Sequence, residues 1–186
     1  MKIFPDIHKK TANVKIYTTN KTGKSWKGKL ILSARSSDGK ELPKVVRDYT
    51  IRNDNDSTTL SYEIGEAMKL WSEFNPVTYT MTAQLEDKKQ SVADTYTEVF
   101  GMREFKVEDK QIHVNGNPVF LRGTLECAIF PLTGYPSMEK SYWEKIFKTS
   151  RKHGLNHLRF HSWCPPEIAF TVADEMGFYL QVECGS

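Results

Sequence analysis

Residues 112–183, IHVNGNPVFLRGTLECAIFPLTGYPSMEKSYWEKIFKTSRKHGLNHLRFHSWCPPEIAFTVADEMGFYLQVE, decide how the rest of the chain is read. Asn115-Gly116 is a two-residue turn that closes a small hairpin with Ile112–Val114, and Leu121-Arg122-Gly123-Thr124 follows as a first strand. From Glu139 to His153 the apolar period becomes helical. Trp143, Ile146 and Phe147 stand at i, i+3 and i+4, and Gly154 is a natural stop. Asn156–Phe160 is a second strand. Pro165-Pro166 opens a second helix with Ala169, Val172, Ala173 and Met176 on one stripe, stopped by Gly177. Phe178–Glu183 is a third strand. Helices that end in glycine and feed directly into strands predict parallel βαβ units. A closed barrel of such units needs eight strands and roughly 250 residues, so these residues are expected to supply only its opening.

Upstream, to about Phe105, the period is two. Val14, Ile16 and Thr18 alternate with Lys15 and Tyr17; Leu30, Leu32 and Ala34 alternate with Lys29, Ile31 and Ser33; Val77, Tyr79, Met81, Ala83 and Leu85 alternate with polar residues. That is the pattern of antiparallel strands with one face buried and one in water. Turn residues at Asn20–Gly23, Ser37–Gly39 and Arg52–Asp56 separate the runs, and further strands are expected near Val45–Ile51, Thr58–Ile64 and Thr95–Phe100. Short strands at this spacing predict an immunoglobulin-like β-sandwich. The overall fold class is therefore mainly β plus α/β: a sandwich over residues 1–107, then over residues 108–186 the first strands and helices of a (β/α)8 barrel. No cysteine precedes Cys127, so the sandwich core must hold together without a disulfide. Nothing in that half forms a catalytic constellation, and it reads as a structural domain.

Composition excludes several classes. The chain has 186 residues, 39% of them hydrophobic, with 26 Lys and Arg against 23 Asp and Glu for a net charge of +3. The two signs are interleaved, and pairs such as Lys9-Lys10 and Lys88-Lys89 fit solvated loops rather than a nucleic-acid face. No run approaches the roughly 18 apolar residues of a membrane span. The start, MKIFPDIHKK, lacks a signal-peptide h-region, which leaves the compartment of a longer parent, periplasmic or secreted, open. Cys127, Cys164 and Cys184 have neither disulfide-framework nor zinc-ribbon spacing, so unpaired thiols and no metal site are expected even with His161 nearby. No cofactor motif is present.

In α/β barrels, chemistry sits at the carboxyl ends of the strands. The sequence places Arg122 and Glu126 after the first strand, Arg159 and His161 at the end of the second, and Glu183 at the end of the third. Two readings stand side by side: these groups contact a ligand, or Arg122 and Arg159 form structural ion pairs with the glutamates. His161 is either a ligand contact or a hydrogen-bonded loop residue. Trp163 either lines a platform or packs beneath its loop, whereas Trp143 reads as core.

Several short motifs resemble glycoside hydrolase family 2, the group of β-galactosidases, β-mannosidases and β-glucuronidases. Leu70-Trp71-Ser72-Glu73-Phe74-Asn75-Pro76 is similar to the family's LW-x-x-x-NP segment, and Phe100-Gly101-Met102-Arg103 to its FG-x-R junction. Asn115-Gly116 with Leu121-Arg122-Gly123 resembles NG followed by LRG. Gly154-Leu155-Asn156-His157-Leu158-Arg159 resembles G-x-N-x-x-R, and Asp174-Glu175-Met176-Gly177 resembles DE-x-G. Their order is the family's. The resemblance implies a fragment of an enzyme hydrolysing O-glycosyl bonds, β-galactosidase-like, with a carbohydrate substrate bound by Arg159, His161, Glu126, Glu183 and Arg122.

The family's acid/base and nucleophilic glutamates, which retaining enzymes hold about 5–5.5 Å apart, belong to later strands. No catalytic residue is therefore assigned here, and the isolated chain is expected to be inactive. Two departures concern substrate-facing loops. The family shows Arg-x-Ser-His-Tyr-Pro where this chain has Arg159-Phe160-His161-Ser162-Trp163-Cys164-Pro165, and Glu126–Pro131 lacks the usual histidine. The alternative function is a non-catalytic carbohydrate-binding or spacer module. Three parallel strands alone would leave an edge for self-association.

Overall fold

Strand β2 (Thr11–Thr19) shows why the first half folds as it does: Ala12, Val14, Ile16 and Thr18 are buried while their neighbours face outward. The computed structural model describes residues 1–52, 54–87 and 91–183, so Asn53, the Lys88-Lys89 pair and Cys184 fall outside the described residues. Strand β2 lies between β1 (Lys2–Asp6) and β5 (Asn55–Glu63), antiparallel to both. A second sheet has the order β4-β3-β6-β7, from β3 (Trp26–Ser36), β4 (Val45–Ile51), β6 (Thr78–Asp87) and β7 (Val92–Gly101).

One core joins the two sheets. Val14, Ile16 and Tyr62 from the first meet Leu30, Leu32, Ala34, Tyr79 and Met81 from the second. The buried tyrosines satisfy their hydroxyls: Tyr62 donates to the Pro43 carbonyl at 2.7 Å, and Tyr79 accepts the Lys69 N–H at 2.7 Å. A two-sheet β-sandwich is thus the fold of the first half. Strand β1, which the sequence reading did not include, lies at the edge of its sheet, where Pro5 is tolerated.

The chain divides into two units. One comprises Met1–Leu70 and Val77–Glu104; the other takes Trp71–Pro76 together with the residues from Phe105 onward. The second unit starts with an antiparallel meander of β8 (Phe105–Glu108), β9 (Gln111–Val114) and β10 (Asn117–Pro118). Then come β11 (Gly123–Glu126), α1 (Lys140–Lys152), β12 (His157–Phe160), α2 (Glu167–Met176) and β13 (Tyr179–Val182). Strands β11, β12 and β13 pair in parallel in that order.

Helix α1 buries Trp143 and Phe147, α2 buries Ala169, Val172 and Ala173, and all of them meet Leu158, Phe160 and Phe178 in one core. Leu158 and Phe160 point to the helices, so the residues that alternate with them, His157 and Arg159, point to the other face of the sheet. Both helices stop where the glycines indicated: Gly154 and Gly177 have φ of 75° and 68°.

The first parallel strand is placed differently from the sequence reading. The Asn115-Gly116 turn returns the chain as β10, not as Leu121–Thr124, and the first parallel strand begins only at Gly123. Arg122 therefore precedes that strand instead of following it.

Candidate functional site

The carboxyl ends of the parallel strands gather four of the five residues singled out. Arg159 projects from β12 on the face away from the helices and forms an ion pair with Glu183, which follows β13 on the same face. Two residues beyond β12, Ser162 takes a left-handed conformation with φ of 59°, and its N–H donates to the other Glu183 oxygen at 2.9 Å. One carboxylate thus fixes both a guanidinium and the loop that begins at His161.

Glu126 does similar work one strand over. Both its oxygens accept the N–H of Ala128, at 3.0 and 3.1 Å, where the backbone again turns left-handed, at φ 56°. Its carbonyl accepts the His161 N–H at 2.9 Å, extending the strand pairing into the loops. The exposed His161 imidazole makes no side-chain bond among the described residues. The rim therefore offers an anchored guanidinium, an unengaged imidazole and two carboxylates. These are donors and acceptors suited to hydroxyl groups.

Arg122 is not part of this group. It stands at the amino end of the sheet, where its backbone N–H donates to Asn156 Oδ1 at 2.8 Å and its Nε to the Gly154 carbonyl at 2.8 Å. Among the described residues it pairs with neither Glu126 nor Glu183, whereas Arg159 does pair with Glu183. Trp163 takes the loop-packing role, its ring edge-on to both Phe130 and Phe160. Trp143 is fully buried. Cys127 and Cys164 are free and exposed, and among the described residues no three His, Cys, Asp or Glu side chains cluster to hold a metal. No helix among them is long and apolar enough to cross a membrane.

The amino end carries wiring that periodicity did not show. Trp71 is buried and its Nε1 donates to the Asp174 carbonyl at 2.7 Å, while Asn115 Nδ2 donates to the Trp71 carbonyl at 2.9 Å. Asn156, also buried, donates to Glu73 Oε2 at 2.8 Å and to the Phe120 carbonyl at 3.1 Å. Arg151 Nη2 donates to the carbonyls of Glu73, Met176 and Gly177. The available signal was the set of short motifs, whose fixed residues meet here.

The same fold occurs in solved glycosidases. Bacteroides uniformis β-glucuronidase 2, covalently bound to cyclophellitol-6-carboxylate aziridine, superposes on 94% of this chain with a TM-score of 0.79 at 17% identity, over 21% of its own length. Parabacteroides merdae β-glucuronidase covers 98% of the chain with a TM-score of 0.73 at 19% identity. By sequence, the β-galactosidase of Staphylococcus xylosus is 30% identical over 114 residues, 61% of this chain. That of Lactococcus lactis is 28% identical over 115 residues. Each alignment spans only 11% of the β-galactosidase's length. These similarities are all to glycoside-cleaving enzymes. The family model described as glycosyl hydrolases family 2 matches residues 1–103, and the chain belongs to that family.

Proposed function

We propose that this chain is a segment of a family 2 glycosidase, holding its immunoglobulin-like domain (residues 1–107) and the opening βα units of its (β/α)8 barrel (residues 108–186). The parent hydrolyses O-glycosyl bonds, and the sequence relatives favour a β-galactoside over a β-glucuronide substrate. Arg159, His161, Glu126 and Glu183 form one wall of the sugar subsite. Arg122, at the other end of the strands, is left out of it. The catalytic carboxylates belong to barrel strands beyond those in this chain.

The observation that carries this reading is the Arg159–Glu183 pair set beside the unengaged His161 imidazole at the carboxyl ends of parallel strands. The 186-residue chain should not hydrolyse 4-nitrophenyl β-galactoside, whereas a polypeptide extended through the remaining barrel strands should. Turnover by the chain alone, in preparations freed of host β-galactosidase, would refute the placement of the carboxylates. In the extended enzyme, Arg159→Ala should lower kcat/KM by about 100-fold or more, comparable to losing a charged hydrogen-bonding group at about 2.7 kcal/mol or more. An unchanged kcat/KM would favour the alternative, a spacer or carbohydrate-binding module.

A further inference from the structure

We propose that the amino-terminal end of the parallel sheet bears a second saccharide site, separate from the rim of Arg159 and Glu183. Two adjoining cavities of about 390 and 210 Å³ lie there, sharing Glu73, Phe74 and Arg122 in their walls. The larger falls in the range of small-molecule sites, about 300–1,000 Å³.

Two aromatic rings stand open in it. Phe74 is 89% exposed and Phe120 76%, although both line the larger cavity. Apolar rings exposed together around one concavity of mixed lining form the kind of patch that marks a binding groove. A pyranose has the matching surface, since its ring carries a face of C–H groups with hydroxyls around the edge.

The polar groups between the rings suit those hydroxyls. Arg122 is held by its Nε on the Gly154 carbonyl at 2.8 Å and by one Nη on the Phe120 carbonyl at 3.4 Å, which leaves the second Nη without a bond among the described residues. Glu73 is held through Oε2 by the buried Asn156 at 2.8 Å, which leaves Oε1 without one. A fixed donor and a fixed acceptor face the same groove, so little ordering is lost when a diol binds. The carboxylate disfavours phosphates and other anions. The mixed lining disfavours a lipid chain. A neutral sugar is the class that satisfies both the rings and the charges.

The site does not depend on the proposed hydrolytic function, because its residues sit at the opposite end of the strands. The test is an amide-shift titration of the 186-residue chain by NMR with methyl β-galactoside, lactose and cellobiose. We expect saturable shifts at Phe74, Phe120, Arg122 and Asn156 with at least one of the sugars. Phe120→Ala, an exposed position, should weaken that binding at least tenfold, and Arg122→Gln should do the same, each with an otherwise native spectrum. His161→Ala should leave it within twofold. Shifts confined to His161, Ser162 and Glu183 would overturn the second site while supporting the rim. No saturable shift with any of the three sugars would also overturn it.

Discussion

Gly177 shows how much one residue decides. It ends α2 in a left-handed turn at φ 68°, and a Cβ there would lie 2.8 Å from the Glu73 carbonyl oxygen and 2.9 Å from its Cα. Both neighbours are backbone and cannot swing aside. Gly177→Ala should therefore destabilise the second unit by about 2 kcal/mol or more, combining the left-handed penalty with the clash. Urea denaturation followed by far-ultraviolet circular dichroism would measure it, and an unchanged midpoint would refute the contact.

His157 gives a pH prediction. Its ring is almost wholly buried, its Nε2 has no partner among the described residues, and burial followed by the Arg159 charge lowers its pKa from the usual 6.5. The unfolded chain takes up a proton near 6.5, and the folded chain resists it. This contribution to stability is complete above pH 6.5 and is lost as pH falls through that value toward the depressed one. The denaturation midpoint should be lower at pH 5.5 than at 7.5, with the difference reduced in His157→Gln. At this scale the sequence was only half legible. The ionisable residues at strand ends could be read from position, but that Glu183 spends both oxygens on Arg159 and Ser162 depends on a left-handed backbone that no pattern announces.

Among the elements, those with one buried face were readable. The alternation of Leu30, Leu32 and Ala34 and the stripe of Trp143, Ile146 and Phe147 are direct imprints of burial on a strand and a helix. Strand β11 was misplaced because Leu121–Glu126 offers no clean period and its start is fixed by a distant group, the Asn156 amide holding the Arg122 N–H. The segment Trp71–Pro76 escaped for the same reason, since Glu73 and Asn156 are 83 residues apart. The motifs that gave away the family turn out to be mainly structural. Trp71, Glu73, Asn115, Asn156 and Gly177 all bind this segment to the amino end of the sheet. Asn156→Ala would strand the Arg122 N–H, the Phe120 carbonyl and the Glu73 carboxylate together, at a cost of about 3 kcal/mol. Asn156→Asp, which keeps the acceptor but sets a carboxylate against Glu73, should be no milder. Thermal unfolding of both variants checks the pair, and Asp matching the wild type would refute it.

For the molecule as a whole, the outer strands of the parallel sheet matter most. In the order β11-β12-β13, both flanking strands have one edge unpaired among the described residues, and Leu125 on the face away from the helices is 47% exposed. Such edges recruit partners. We expect concentration-dependent association of the 186-residue chain, seen as a rise in weight-average mass by light scattering between 10 and 200 µM (chosen experimental limits, roughly the micromolar range in which unpaired edges associate). A constant monomer mass would refute this. The buried indole of Trp71 offers a way to follow the second unit optically. Held by the Asp174 carbonyl and edge-on to Tyr179, it should fluoresce at short wavelength while the segment stays docked. Release of those six residues would bring water to the chromophore and shift its emission to the red. The difference between wild-type and Trp71→Phe spectra would then report whether this part of the chain lets go before the rest of the molecule unfolds.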